Sequence, residues 1–463
     1  MRLRSFFFLI GIFLSSMAAE AAPFYFGADL SFANEMDDCG AKFKENGAEK
    51  DVFAIFKDNG TNLVRLRLWH NPDWTHYSTL ADVKRAIARA HAQGMKVLLD
   101  YHYSDDWADP QHQIIPKAWA GIKDTDRLAD TVYHYTTDTL SELDKAGLMP
   151  DYVQVGNEIN SDLMMDKPWS EGVEINWARD AKLITAGIRA VREAGQKSSL
   201  APKVVLHIAQ PENTEKWLAA ATQAGVTDFD VIGFSYYPQW STQSLAGVRA
   251  TVNRLRHRYP TADVMVLETA YPWTQSWADD NRNVLNEKAL VAPYRATADG
   301  QKQFLTDLAQ AVMAGDGAGV IYWAPDWVST GCRTRWGAGS TWENATLFDF
   351  AHNALAGMSY PFSPYVHPVA VTFRFTDVVP GQSYVLWGDF LGSRDIAVHL
   401  PDKEGRYEYT AMLMPGAAYR LQLFADPGLH QRLISGPKVQ DGFYTDKAPS
   451  GDGVVDLRPD ARP

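Results

Sequence analysis

Eight times between Phe24 and about Leu355 a short apolar run is followed by an amphipathic stretch, and no other feature restricts the chain as much. The runs cover residues 24–30, 63–68, 96–101, 152–155, 203–208, 229–235, 263–268 and 319–323. Between them apolar residues step by three and four, as in Leu80, Val83, Ile87 and Ala90, or Trp177, Ala181, Ile184, Ile188 and Val191, or Leu245, Val248, Val252 and Leu255. That spacing lines one face of a helix. Gly60, Gly94, Gly147, Gly195, Gly225 and Gly315 fall where these helices are expected to stop. Strand and helix alternating in this way is the pattern of βα units on a parallel sheet. Eight units predict a closed (β/α)8 barrel, the TIM barrel, with a doubly wound open sheet as the alternative.

The remaining length goes into stretches after the runs, at residues 31–50, 103–123, 160–171, 271–300 and 324–342. Long loops on one rim, rich in Trp, Tyr, Asp and His, describe a cleft at the carboxyl ends of the strands. Two of the runs end in a carboxylate. Asp151-Tyr152-Val153-Gln154-Val155 leads into Gly156-Asn157-Glu158, and Asp263-Val264-Met265-Val266-Leu267 leads into Glu268. A single Glu after a strand reads as a solvated loop charge. Two of them at the mouth of one barrel are the minimum equipment for splitting a glycosidic bond.

Charge and the N-terminus narrow the partners. Residues 1–22 have the layout of a secretory leader: Arg2 and Arg4, an apolar stretch over 6–14, then small residues up to Ala22. A secreted or periplasmic protein is expected, in a compartment where disulfides persist. The formal net charge is −12, and losing Arg2, Arg4 and Glu20 moves it to −13, which argues against nucleic acid or an anionic membrane as partner. No stretch approaches the ~20 apolar residues of a membrane span. The 15 Trp and 20 Tyr cluster in part just after strand runs, where flat rings can stack on sugars. A polysaccharide substrate and a monomeric protein are expected.

After Pro361 the period changes to two. Val369, Val371, Phe373 and Phe375 alternate with Ala370, Thr372 and Arg374, and further strand-like runs follow at 384–387, 396–400, 407–413 and 419–424. The expected organisation is a leader over 1–22, the barrel over 23–360, and a small β-sandwich-like domain over 361–435. Residues 436–463 read as a loosely ordered polar tail or as part of that domain. With Trp387 as its single Trp, the β domain reads as a structural cap in preference to a carbohydrate-binding module.

Seven stretches carry a resemblance: Gly27-Ala28-Asp29; Val64-Arg65-Leu66-Arg67-Leu68-Trp69 with Asn71-Pro72; Leu99-Asp100-Tyr101-His102-Tyr103-Ser104-Asp105 with Trp107-Ala108-Asp109-Pro110; Gly156-Asn157-Glu158; Ser235-Tyr236-Tyr237-Pro238; Leu267-Glu268-Thr269-Ala270; and Tyr322-Trp323. In this order, each at a strand end, they resemble the arabinogalactan endo-β-1,4-galactanases of glycoside hydrolase family 53, over nearly all of residues 24–355. The resemblance implies a retaining double displacement in the galactan side chains of pectin, with Glu158 as general acid/base and Glu268 as nucleophile. Such an acid must hold its proton near neutral pH, which burial and a second carboxylate achieve. Related retaining barrels also cut mannan, xylan and β-glucan, and a barrel that only binds polysaccharide is the non-catalytic alternative.

The supporting residues follow. Arg65 and Arg67 share one face of their strand; the resemblance has Arg65 keep Glu268 ionised, while ion pairs that merely close the barrel end are the alternative. Asn157 is expected on the sugar 2-OH and Tyr236 on the nucleophile. His102 and His207 are cleft candidates or satisfied core imidazoles. Asp105, Trp107, Trp323 and Trp327 complete the set. The family pattern Tyr-Trp-Glu-Pro-Ala-Trp is here Tyr322-Trp323-Ala324-Pro325-Asp326-Trp327, which leaves the rim of the subsites open. No cofactor is required. Asp279, Asp280, Asn281 and Asn283 offer oxygen ligands for the structural Ca²⁺ of some bacterial family members, with a solvated polar loop as the alternative. Finally, Cys39 follows the first strand run and Cys332 the eighth. Barrel closure makes these strands neighbours and predicts a disulfide between the two loops.

Overall fold

The computed structural model describes residues 24–170, 172–334, 337–376, 382–391, 398–400, 407–425, 438–440 and 443–458. The leader-like segment lies outside them. Eight parallel strands close into a barrel: β1 (Tyr25–Asp29), β2 (Leu63–Leu68), β3 (Lys96–Tyr101), β4 (Tyr152–Val155), β5 (Lys203–Ala209), β6 (Val231–Ser235), β7 (Asp263–Thr269) and β8 (Gly319–Trp323). Closure runs through β1, which pairs with β8 from Tyr25 opposite Gly319 to Asp29 opposite Trp323, and with β2 from Gly27 opposite Leu63 to Asp29 opposite Arg65. Gly27 is needed at this seam, because a Cβ there would stand 2.6 Å from Cγ1 of Ile321. Tyr25, Leu63, Leu98, Tyr152, Val205, Val231, Met265, Leu267 and Ile321 fill the interior, drawn from all eight strands. The barrel is thus plugged below, and its polar residues gather at the carboxyl ends above.

Helices cover the outside, and their starts are written in side chains. Asp51, Thr79, Asp124, Ser244 and Thr297 each accept a backbone N–H of the first turn, opening α1 (Val52–Asp58), α2 (Leu80–Ala92), α3 (Thr125–Lys145), α6 (Leu245–Arg258) and α7 (Ala298–Ala314). The others are α4 (Trp177–Lys197) and α5 (Pro211–Gln223). Gly195 does not end α4, which runs on to Lys197; its missing Cβ makes room for Ala201 and Pro202 instead. After β8 the covering segment is a 3₁₀ turn, Ala356–Phe362, with Pro361 inside it. Ser359 and Ser363 bond Lys302 and Thr306 of α7. Among the described residues no helix is long and apolar enough to cross a membrane.

The C-terminal region forms two sheets. β9 (Val369–Phe375) lies between β12 (Tyr407–Leu413) and β16 (Gly453–Leu457). The second sheet runs β11 (Val398–Leu400), β10 (Tyr384–Gly388), β13 (Ala418–Phe424), β15 (Phe443–Lys447), β14 (Val439–Gln440). Val371, Phe373, Phe375, Leu386, Leu421 and Leu423 form the core between them. Three of these strands, β14, β15 and β16, come from the described residues between 438 and 458, which join the two sheets as the second of the two readings of this stretch has it. Trp387 is buried against Phe443 and offers no surface platform. The domain meets the barrel where Tyr409 touches the His257 ring of α6, and Val366 exchanges two hydrogen bonds with Gln310 of α7. Across the barrel seam Cys39 and Cys332 form a disulfide with their Cα atoms 5.6 Å apart.

Candidate active site

The carboxyl ends of the strands open into a cleft of about 790 Å³, whose lining includes both Glu158 and Glu268. Glu158 arrives through an abrupt turn: Gly156 has φ +85° and Glu158 itself φ +47°, a left-handed conformation that costs a non-glycine residue about 1–3 kcal/mol. Gln113 holds the turn by donating to the carbonyls of Asn157 (2.8 Å) and Glu158 (3.2 Å). The Glu158 side chain has a single hydrogen-bond partner among the described groups, the Ser235 hydroxyl at the end of β6. Ser235 sits at a register shift in the β6–β7 pairing, where it falls opposite Glu268. Such an irregularity re-aims a side chain.

Glu268 is held from two sides. Its Oε1 lies 2.9 Å from Arg65 Nη1, and its Oε2 accepts from the Tyr237 hydroxyl at 3.0 Å. Arg65 is 1% exposed and spends its donors on Asp29 (2.7 Å), Asp100 (2.8 Å), Gln154 Oε1 (3.1 Å) and Asn157 Oδ1 (2.6 Å). Burial works against the guanidinium charge, and the carboxylates of Asp100, Glu268 and Asp29 outweigh it. Burial likewise opposes Asp100, but Arg65 and His102 hold its carboxyl below the usual range. Burial raises both catalytic-cleft glutamates. Glu158 is raised further by the charge of Glu268, whereas Arg65 and Tyr237 pull Glu268 back down. Both carboxyls are raised, Glu158 to about 8 and Glu268 to about 7, so Glu158 is the one that holds its proton longer, an order suited to acid-assisted nucleophilic displacement.

The other sequence candidates divide. His102 lines the cleft; its Nδ1 accepts from Trp69 Nε1 (3.2 Å) and the Ala108 N–H (3.1 Å), so its Nε2 donates to Asp100 (3.1 Å). Arg67 also lines the cleft, with its guanidinium 4.1–4.8 Å from the rings of Trp107, Trp69 and Phe32. It supports an aromatic floor and has no bond to Glu268. Asn157 lines the cleft and donates to the Ala108 carbonyl at 2.8 Å. Trp107, Trp323 and Trp327 are in the lining too, Trp327 stacked on Phe32 at 4.1 Å. His207 lies beneath, fully buried, between Asn157 and Ser235.

Two expectations are corrected. Tyr236 turns outward: its hydroxyl donates to the Gln243 carbonyl at 3.0 Å, and Tyr237 is the tyrosine on Glu268. Alternation explains this, because Ser235 and Tyr237 share the inward face and Tyr236 takes the other. Asp105 is outside the lining and ties the loops after β2 and β3 together, accepting from the N–H groups of Asn71 (2.9 Å) and Lys117 (2.8 Å). Asp326 does not replace the missing rim Glu either. It is 0% exposed, burial pushes its carboxyl well up, and it is not among the residues that line the cleft.

Asp279 accepts from Ser329 Oγ, the Ser340 N–H and the Asn281 N–H, each at 2.7 Å. Asn281 donates to Ala338, Asn283 accepts from the Asn344 N–H at 3.4 Å, and Asp280 is exposed. Asp279, Asn281 and Asn283 tie the loops after β7 and β8 together. Among the described residues no three His, Cys, Asp or Glu side chains gather as metal ligands. Sequence reasoning passed over Asp29, Asp100, Gln154, Ser235, Tyr237, Trp240 and Trp342. Asp29 and Asp100 stood in the quoted motifs, and strand parity from Glu268 and Ser235 would have found Tyr237.

Comparisons with known proteins agree with this geometry. The family described as glycosyl hydrolase family 53 matches residues 25–360. The chain is 50% identical to an arabinogalactan endo-β-1,4-galactanase of Cellvibrio japonicus over 341 residues, 74% of this chain and 90% of that protein. It is 31% identical to an endo-β-1,4-galactanase of Bacillus subtilis, covering 75% of this chain and 87% of the relative. Among solved structures, the GH53 catalytic domain of Ignisphaera aggregans superposes with a TM-score of 0.67 at 32% identity, covering 75% of this chain and 98% of that one. With the family pattern spanning the whole barrel and both cleft glutamates, the chain belongs to glycosyl hydrolase family 53.

Proposed function

We propose that the chain is a retaining endo-β-1,4-galactanase that cuts internal bonds of galactan or arabinogalactan by double displacement. The carrying observation is the unequal setting of the two cleft carboxyls, one clamped by Arg65 and Tyr237 and the other bonded to a single hydroxyl. The names of the relatives support the substrate. In the first step Glu268 attacks the anomeric carbon while Glu158 gives its proton to the departing glycosidic oxygen, leaving a glycosyl ester on Glu268. In the second, ionised Glu158 takes a proton from water, whose oxygen attacks the anomeric carbon and releases Glu268 as carboxylate. Asn157 Nδ2 has one hydrogen left for the sugar 2-OH, and Trp107, Trp323 and Trp240 offer ring faces along the cleft. Side chains supply both proton and nucleophile, so the reaction uses no cofactor. The leader pattern and the disulfide support a secreted or periplasmic protein.

Reducing-sugar release should be highest on potato galactan in a panel with arabinogalactan, mannan and xylan. Glu158→Ala and Glu268→Ala should each lose several orders of magnitude in kcat with the fold retained. Early-time NMR should show β-anomeric product. A preference for mannan or xylan would refute the substrate, a variant keeping more than about a tenth of the rate would remove that residue from its role, and α-anomeric product would sink the mechanism.

A further inference from the structure

Behind Glu158 runs a buried chain of hydrogen bonds whose direction can be worked out atom by atom. It starts at Arg65, which can only donate. Its Nη2 stands 2.6 Å from one end of the Asn157 amide, so that atom is the oxygen, and the amide nitrogen faces the Ala108 carbonyl at 2.8 Å. Gln154 is fixed in the same way. Its Oε1 accepts from Arg65 Nε at 3.1 Å, and its Nε2 lies 2.6 Å from Asp100 Oδ1, 3.0 Å from the Gly156 carbonyl, 3.1 Å from Asn157 Oδ1 and 3.2 Å from His207 Nδ1, so its two hydrogens go to the two shortest contacts, Asp100 and Gly156.

His207 Nδ1 lies 2.9 Å from Asn157 Oδ1, an atom now known to be an acceptor. Nδ1 must therefore carry the hydrogen. Burial and the charge of Arg65 hold the imidazole well below its ordinary range, so it carries only one. Nε2 is then a lone pair. Among the described residues it meets Ser235 Oγ at 2.9 Å, and the serine hydrogen is drawn to it. With its hydrogen so committed, Ser235 can only accept from its remaining partner, Glu158 Oε1.

We infer that His207, fixed as the Nδ1–H tautomer, orients the Ser235 hydroxyl away from Glu158, and that these two positioning residues hold the catalytic proton on Glu158 until substrate arrives. This rests on the reading of Glu158 as the acid. When Glu158 ionises, the serine hydroxyl can turn to it only by leaving Nε2 without a hydrogen. The acid form therefore has one matched hydrogen bond more than the anion. The chain thus favours the state needed for the first step and pulls a proton from water in the second.

A serine that simply donated to a carboxylate would act with the opposite sign, and this separates the two arrangements. The titratable and charged groups facing Glu158 are Glu268, Asp109 and Arg65; those facing His207 are Arg65, Asp100 and the neutral His102. None is altered by Ser235→Ala. In that variant the basic limb of kcat/KM on galactan should move down by about one pH unit, the size of one matched hydrogen bond. An unmoved or upward-shifted limb would overturn the inference.

A second measurement needs no variant and no substrate. Long-range ¹H–¹⁵N correlation on ¹⁵N-histidine-labelled full-length protein should show one pH-insensitive Nδ1–H histidine between pH 5 and 8 that is buried from solvent exchange. His102 is expected as Nε2–H, so the two buried imidazoles are distinguishable by tautomer. Two Nε2–H buried histidines would refute the chain even in an active enzyme. An inactive protein with the Nδ1–H signal would refute the galactanase reading and leave the chain standing.

Discussion

Replacing Arg65 by Met tests the electrostatic centre of the barrel most directly. Met fills similar space without the charge, and three carboxylates, those of Asp29, Asp100 and Glu268, lose the cation within 2.7–2.9 Å of each. The formal charge of the cluster goes from −2 to −3 inside a site where Arg65 and Asp100 are 1% and 0% exposed. Removing one partner of a buried pair costs about 3–5 kcal/mol. The cheapest escape is for one aspartate to take up a proton. Against an unfolded-state pKa of ~3.9, that costs about 4 kcal/mol at pH 7 and about 1.5 kcal/mol at pH 5. The sign follows: the carboxyl so neutralised titrates higher in the folded variant than in the unfolded chain, so the variant loses stability as pH rises above ~4. Urea denaturation of both proteins at pH 5 and pH 7, disulfide intact, should show the variant about 4 kcal/mol weaker at pH 7 and about 1.5 kcal/mol weaker at pH 5. A deficit below about 1 kcal/mol at pH 7, or one equal at both pH values, would mean that Arg65 does not balance these carboxylates.

Tyr237→Phe removes a hydrogen bond to an ionised carboxylate and should lower kcat about 10- to 100-fold, while Tyr236→Phe on the outward face should change it less than about twofold; equal effects would contradict the geometry. Opening the loop between Cys39 and Cys332, 293 positions apart, with the double Ala variant should cost about 5 kcal/mol in the chain-entropy account. Two reactive thiols per chain in the denatured, unreduced wild type would disprove the bridge. Burial pushes Asp180 up to about 7 although it accepts from the Leu163 N–H and Arg179. The folded state therefore holds a proton that the unfolded state releases between about pH 4 and 7, and stability falls as pH rises through that window. Thermal melts from pH 5 to 8 should be flatter in Asp180→Asn than in wild type.

The barrel was legible because its strands are apolar runs whose side chains all need cover, and seven of the eight keep their sequence-read ends within one residue. Strand-end glutamates were legible for the same reason, since a charge that ends a buried run must sit at a rim. What escaped depended on direction or on partners far away. Tyr236 and Tyr237 are identical in type, and only the parity of β6 tells them apart. Asp105 has the composition of a site residue, but its oxygens are taken up in joining two loops. The strands of the tail, such as Phe443–Lys447, are half exposed and read as polar, because a strand that packs on one face carries little apolar signal. The covering segment after β8 holds Pro361, which a regular helix would not tolerate in its interior.

The placement of β16 has a consequence for how the molecule is made. β9 is synthesised some eighty residues earlier, yet its second neighbour, paired in parallel from Val371 opposite Gly453 to Phe375 opposite Leu457, emerges last. Until residue 457 has left the ribosome, β9 presents one open edge, with N–H and C=O groups ready to pair with any other chain. A truncation or early stop before residue 453 would keep that edge open for good. Such a product should betray itself first as aggregate.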